Sequence, residues 1–305
     1  MDWTPTEVQT AVADLAKQVL RTSASPWADL ADAGLFELDT MVDIAALLEQ
    51  VGRTGGTVPA LETLVLGAPA RLEDDPADIV LTGAPFSLGL RVRDGRAHGV
   101  VDSVASGTTA ARMVFPADDG LYAVSLADCS VEAQVGTNED DVARVVLDGS
   151  SATALGGLEA VADWHRRCGV GIAAMLLGLS RQALIMTAKY TSTRHQFGRP
   201  IASFQAVSQR AADAWIQVNA MELTLAQAAW RLDEGLPCGR EVVIARYLAA
   251  EGSHRVLAAA QHLHGGMGFD KDYALHRYFL TAKAWEFVGG GAAEQLERLG
   301  EIVAL

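Results

Sequence analysis

Aromatic residues are scarce in this chain, at 6% of 305, and cysteine is rarer still, with three residues in all. Few aromatics together with abundant alanine mean a core filled by small side chains, which favours closely packed helices. Cys129, Cys168 and Cys238 are odd in number, widely separated and without a CxxC pair, so neither a disulfide framework nor a zinc site is supported. A reducing cytoplasm fits such a chain. Positive charge is also in deficit. The formal balance of -14 argues against nucleic acid or an anionic membrane surface as the main partner. The opening "MDWTPTEVQT" lacks a basic segment followed by an apolar run, and the longest strongly apolar stretch, "VGIAAMLLGL", is about half a bilayer span. Neither targeting nor membrane crossing is expected.

What is present is helical pattern at both ends. Thr4, Pro5 and Glu7 form a helix-start signal, and Val8, Val12, Leu15 and Val19 make one apolar stripe. From about residue 78 the pattern changes to short β-prone runs, with Asp94-Gly95 as a hairpin signal between two of them. After "SSATALGG", an alanine- and glycine-rich joint, helical periodicity returns. Ile172, Met175, Leu179, Ala183 and Met186 line one helix, and Trp215, Val218, Met221, Leu225 and Ala228 a second. "REVVIARYLAAEGSHRVLAAAQHL" makes a third, and Trp215 and Trp230 read as core. The reading is a mostly α protein with a small central β-domain: a helical segment over 1–70, strands over 71–152 and a four-helix bundle over 153–305.

Two motifs stand in the bundle, "YTSTRHQFGRPIASFQAV" and, about 70 residues later, "AAQHLHGGMGFDKDYALHRYFL". Arg194 offers a fixed fork of donors suited to phosphate oxygens, Phe197 an apolar surface, and the Gly265-Gly266 turn permits close backbone approach. Plainer roles are open to each. Arg194 at a helix end could favour the dipole or pair with an acid, the glycines could be only a cap and turn, and His262 and His264 could satisfy backbone groups.

Arg194, Phe197, Gly198, Pro200, Ile201 and Gln205, followed by His264, Gly265, Gly266, Gly268 and Phe269, resemble the two bundle motifs of the acyl-CoA dehydrogenase family. "WADLADAGL" and "LLEQVGR" resemble its N-terminal domain. The resemblance implies FAD as cofactor, an acyl-CoA substrate and electron-transferring flavoprotein as acceptor. It also implies that Arg194, Gln196, Phe197, Ile201, Gln205, His262, Gly265, Gly266 and Gly268 hold the adenine and pyrophosphate end of a neighbouring subunit's flavin.

The chain departs from the family where the chemistry is done. Dehydrogenation needs a carboxylate to take the proton from Cα of the thioester. Aligning "AKAWEFVGGGAAEQ" with the family's base-bearing segment puts Gly289 where that Glu belongs, so no catalytic base is assigned. The alternative family position on the first bundle helix falls at Cys168, which reads as an ordinary buried small residue. Glu286 and Glu294 lie on the flanking helical runs and read as structural or exposed. The family's flavin-binding Thr-Glu-Pro and Trp-Ile-Thr segments are not recognisable between 66 and 150. "EFVGGGAAEQ" also lacks the Lys and Ser/Thr of a phosphate-binding P-loop.

This asymmetry resembles the small subunit of the α2β2 acyl-CoA dehydrogenases of actinobacterial steroid catabolism. It implies a larger homologous partner that carries the base, acting on a bulky acyl-CoA. A self-sufficient homotetramer with an unorthodox base and a non-catalytic scaffold are the competing readings.

Overall fold

A computed structural model of the protein describes residues 5–73 and 75–304. Thr4, the expected cap of the first helix, lies outside them. The helix α1 (Glu7–Thr22) is instead capped by Thr6, whose hydroxyl accepts from the Gln9 amide at 3.2 Å while the Gln9 side chain accepts from the Thr6 amide at 2.9 Å. That reciprocal pairing satisfies two donors that a helix start leaves free. Two further helices, α2 (Pro26–Asp32) and α3 (Met41–Arg53), complete the N-terminal layer, and a single wide turn over Glu62–Leu66 leads out of it.

Seven strands follow: β1 (Leu81–Gly83), β2 (Arg91–Arg93), β3 (Arg96–Ala105), β4 (Arg112–Ala117), β5 (Gly120–Ser125), β6 (Ser130–Val135) and β7 (Asp141–Gly156). Their order is β1-β4-β5-β7-β3-β2, with β6 also on β7, and only β1 and β4 run parallel. Asp94 and Gly95 both take positive φ, 51° and 70°, and join β2 to β3 as the hairpin signal predicts. The segment 151–156 is not the expected joint. It is the far half of β7, where Ala152 to Gly156 pair with β5. Ladder bonds to β5 outweigh a composition that reads as a linker, and the β-domain therefore ends at Gly156 rather than 152.

The bundle begins with α4 (Leu158–Thr193), followed by a two-stranded hairpin, β8 (His195–Gln196) and β9 (Arg199–Pro200). Then come α5 (Gln205–Asp233), α6 (Gly239–His264), α7 (Leu275–Glu286) and α8 (Ala292–Ala304). Residues 168–180 of α4 are buried without interruption, because α3, α5, α6 and α7 surround the helix and β5 and β7 touch it. This apolar helix is long enough to cross a membrane, but 78% of its apolar window is buried inside the protein. Glycines set its distance from α3. A Cβ on Gly52 would run into the Met175 carbonyl, and one on Gly178 into the Glu49 carbonyl. At the other end of α3, the amides of Met41 and Val42 donate to the Asp233 carboxylate at 2.7 and 2.9 Å, so the last residue of α5 caps the first turn of α3.

The α5 stripe differs from the sequence reading at one end. Ala214, Val218, Met221, Leu225 and Ala228 are buried, whereas Trp215 is 61% exposed. Ala214 lies four residues before Val218, in helical register with the stripe, and Trp215 falls beside it. Trp230 is likewise at the surface, at 37% exposure.

Candidate functional site

The two motifs that the sequence separates by some 70 residues meet at one end of the bundle. Tyr190, one turn before Arg194, stacks on His264, the last residue of α6, with ring centroids 4.5 Å apart. The buried His264 ring contacts the Ala260 carbonyl through Nδ1 at 2.7 Å and the Tyr273 hydroxyl through Nε2 at 3.2 Å. Burial holds this imidazole below its ordinary pKa, with the Ala260 contact acting the other way. A neutral ring that donates from Nδ1 and accepts at Nε2 satisfies both contacts. His264 is thereby a strut between the motifs.

Arg194 is the C-terminal cap residue of α4, and its backbone amide donates to the Tyr190 carbonyl at 2.8 Å. Its exposed side chain makes no ion pair among the described residues. The hairpin that follows turns through Phe197 and Gly198, with φ of 54° and 78°. A bulky residue with positive φ is strained, and the turn spends that strain to hold the Phe197 ring in solvent, 92% exposed, edge-on to Phe204 at 6.1 Å. Gln196 and Gln205 are exposed beside it and Ile201 is half-buried. Ile201 closes the loop by donating its amide to the Arg194 carbonyl at 2.8 Å.

Just past α6, Gly265 takes φ of 59°, and a Cβ on Gly265 or Gly266 would meet nothing within 4 Å. Both therefore offer open backbone. Gly268 is different: its Cβ would lie 2.6 Å from the Gln261 carbonyl, so it serves the packing of the turn on α6. His262 is exposed and borders a groove of about 710 Å³ between α5 and α6, together with Arg210, Asp213, Gln217, His254 and Arg255. This end of the molecule thus presents a guanidinium, an aromatic face, amides and bare glycine backbone to solvent. Such a set fits the anionic and aromatic parts of a dinucleotide.

The position expected to hold a base is closed. Gly289 has φ of 77°, and any Cβ there would collide with the ring of Phe86, which sits in the loop after β1. Phe86 stacks on His165 at 5.3 Å, and His165 on Trp164 at 5.7 Å. The Trp164 indole donates to the Leu66 carbonyl at 3.0 Å, which anchors the stack to the wide turn at 62–66. Gln295 and Arg298 donate to the Gly289 carbonyl at 2.7 and 3.1 Å, so the glycine turn is tied from α8 as well. Cys168 is fully buried, and burial pushes its thiol well above the ordinary range, with Arg246 opposing. A thiol so placed is inert as a base. Glu286 pairs with Lys283 at 2.6 Å and Glu294 accepts from the Gly291 amide at 2.8 Å; both are structural.

One carboxyl was not legible in the sequence. Glu62 borders a cavity of about 740 Å³ between the N-terminal segment, the β-domain and α7, with Ser106, Asp140, Asp141, Lys283 and Trp285. Its Oε2 is enclosed without a hydrogen-bond partner among the described residues. Burial raises its pKa to about 7; its own backbone amide opposes this, Asp140 and Asp141 add to it, and Ser106 lowers it. Only the fold gathers these acids from 62 and 140–141, and an acidic residue in an apolar helical run carries no sign of it in the sequence.

A helical layer, a β-domain and a helical bundle with a dinucleotide-compatible end define a flavoprotein dehydrogenase architecture. Residues 165–304 match the family model for the acyl-CoA dehydrogenase C-terminal domain. The acyl-CoA dehydrogenase FadE27 of Mycobacterium tuberculosis is 35% identical over 95% of this chain and 91% of its own length. Among solved structures, a chain of the ChsE4-ChsE5 complex from Mycobacterium tuberculosis superposes with a TM-score of 0.91 at 31% identity, covering 100% of this chain and 99% of that one. A variant of the Tcur3481-Tcur3483 steroid ACAD gives 0.88 at 31% identity, with 98% of each chain covered. The chain belongs to the acyl-CoA dehydrogenase family of oxidoreductases, whose members are FAD-dependent flavoproteins.

Gly289 and Glu62 each yield a prediction. Placing a carboxylate at this position as Gly289→Glu is expected to cost about 2–4 kcal/mol in urea denaturation, from positive φ and overpacking together. Combined with Phe86→Ala it should cost markedly less, and equal cost in both backgrounds would show that the ring is not the obstacle. For Glu62, the folded pKa lies above the unfolded value. Its unfavourable contribution is absent below about pH 4.5, grows as pH rises to about 7 and is constant above that. Glu62→Gln should flatten this slope and raise stability at about pH 8 by about 1–3 kcal/mol relative to wild type. Denaturation at about pH 5 and 8 measures it, and a variant less stable at the higher pH would contradict the assignment.

Proposed function

We propose that this chain is the base-lacking subunit of a heteromeric acyl-CoA dehydrogenase and completes the FAD site of a larger homologous partner in the cytoplasm. One observation carries the reading. The Arg194 and Gly265 motifs open onto solvent at one end of the bundle, while the position of the missing base, Gly289, is filled by Phe86. A self-contained enzyme needs both. The exposed Phe197, Trp215, Ile216 and Phe269 give a partner subunit apolar surface to cover.

The residues present fit the cofactor's adenine and pyrophosphate end. Arg194 supplies a planar donor fork, the Gly265-Gly266 backbone lets a phosphate approach, and Gln196, Gln205 and His262 offer polar contacts around it. Phe197 contributes an apolar face, and Ile201 and Gly268 set the shape of the two turns. When bound, FAD accepts the hydride that leaves Cβ of the acyl thioester. This chain binds and orients; the partner supplies the carboxylate that takes the Cα proton and most of the acyl-CoA site. The product would be a 2,3-enoyl-CoA. A bulky, steroid-derived acyl group is the substrate class we favour, from the 31% identity to the Tcur3481-Tcur3483 steroid ACAD over almost the whole chain.

A second reading, a self-sufficient dehydrogenase, gains one supporting observation in Glu62, a carboxyl near neutrality in a large cavity. The acids around it disfavour an anionic CoA ligand there.

Arg194→Ala in the co-expressed pair separates the proposed reading from that of a non-catalytic scaffold. We expect FAD affinity to fall at least about tenfold, the scale of one charge-assisted hydrogen bond, with unchanged urea stability. Unaltered FAD affinity would instead favour a scaffold that never touches the flavin.

A further inference from the structure

At the opposite end of α6 from His262 lies a smaller cavity, about 300 Å³, bounded by α4, α6, α8 and the Phe86 loop. Its charged lining is entirely basic among the described residues: Arg166, Arg246 and Arg298, with His165 beside them. Arg166 is already engaged by Asp163 at 3.3 Å. Arg246 pairs with no acid among the described residues. It is 3% exposed, its Nη2 donates to the Val288 carbonyl at 2.5 Å, and its Nη1 is buried with no partner among the described residues. Gly169 makes room for it, since a Cβ there would lie 2.6 Å from Val242 Cγ1 and 3.4 Å from Arg246 Cγ.

A guanidinium keeps its charge in proteins, so burial without a carboxylate is costly, and a second arginine facing the same space adds repulsion. Burial, with Arg298 adding to it, has already brought Arg246 down to about 10. The remaining walls are apolar: Phe86, Val242, Val243 and Ile302. Gln295 offers little competition, because its amide nitrogen is committed to the carbonyls of Gly289 and Gly290 at 2.7 and 3.1 Å.

We propose that this cavity binds a small organic carboxylate, its head group beside the Arg246 and Arg298 guanidinium groups and its apolar tail on Phe86, Val242 and Ile302. The volume is at the lower end of small-molecule pockets, which suits a short-chain acid. Apolar walls favour it over free phosphate, which has no tail to bury. Because Arg246 and Arg298 also hold the carbonyls of Val288 and Gly289, occupancy of the pocket would bear directly on the glycine turn. The proposal does not depend on the cofactor reading, which concerns the other end of α6.

Titration calorimetry of the full chain with sodium hexanoate, at fixed ionic strength, tests it. Saturable binding is expected, with 1-hexanol giving none and inorganic phosphate binding at least about tenfold more weakly. Arg298→Gln, a change at an exposed residue, should weaken hexanoate at least about tenfold, the scale of one charge-assisted hydrogen bond. Arg246→Met should abolish binding, with circular dichroism as the control for folding. Absence of saturable heat, phosphate binding as tightly as hexanoate, or an indifferent Arg298→Gln variant would each overturn the assignment.

Discussion

The burial of α4 is the constraint on which the rest of the molecule depends. Thirteen consecutive residues of this helix, 168–180, are hidden from solvent, so every layer of the protein has to reach it. The N-terminal layer does so through the glycine contact at Gly52 and Gly178, where two helix backbones approach too closely for any side chain. Leu61 and, in the wide turn at 62–66, Val65 pack against Gly171, and the turn receives the Trp164 indole. Small residues on α4 are therefore what let three layers share one core.

The same helix also separates the two halves of the site. At its C-terminal end the chain turns sharply through a strained hairpin and leaves Arg194 and Phe197 in solvent, braced by the Tyr190–His264 stack. Toward its N-terminal end, Trp164 stacks on His165 and His165 on Phe86, whose ring lies against the glycine turn. One end is built to meet something outside the chain. The other has the Phe86 ring against Gly289, so a glycine there is a packing requirement.

Much of this was legible before the fold. Helical periodicity, the Asp94-Gly95 hairpin and the two bundle motifs are local signals, and local physics sets them: capping, φ > 0 at a turn, and the 3.6-residue stripe. What escaped depends on contacts between distant segments. Residues 151–156 look like a joint until β5 pairs with them, β6 alternates through Val131, Ala133 and Val135 but buries none of them and is a strand because β7 pairs with it, and Trp215 sits just outside a stripe that reaches Ala214. Spacing singled out Gly289, but the ring that packs against it comes from Phe86, some 200 residues away. Glu62 and Arg246 are likewise ordinary residues in sequence, and only burial without a partner for one atom of each sets them apart.

The central claim is that the chain supports flavin chemistry in a partner and has no complete site of its own. The flavin-to-polypeptide ratio tests it most directly, measured on the chain purified alone and on the assembly co-purified with its larger homologue. The account predicts no bound FAD on the isolated chain and one FAD for each pair of unlike subunits in the assembly. An isolated chain that retains stoichiometric FAD and bleaches on addition of acyl-CoA would contradict it.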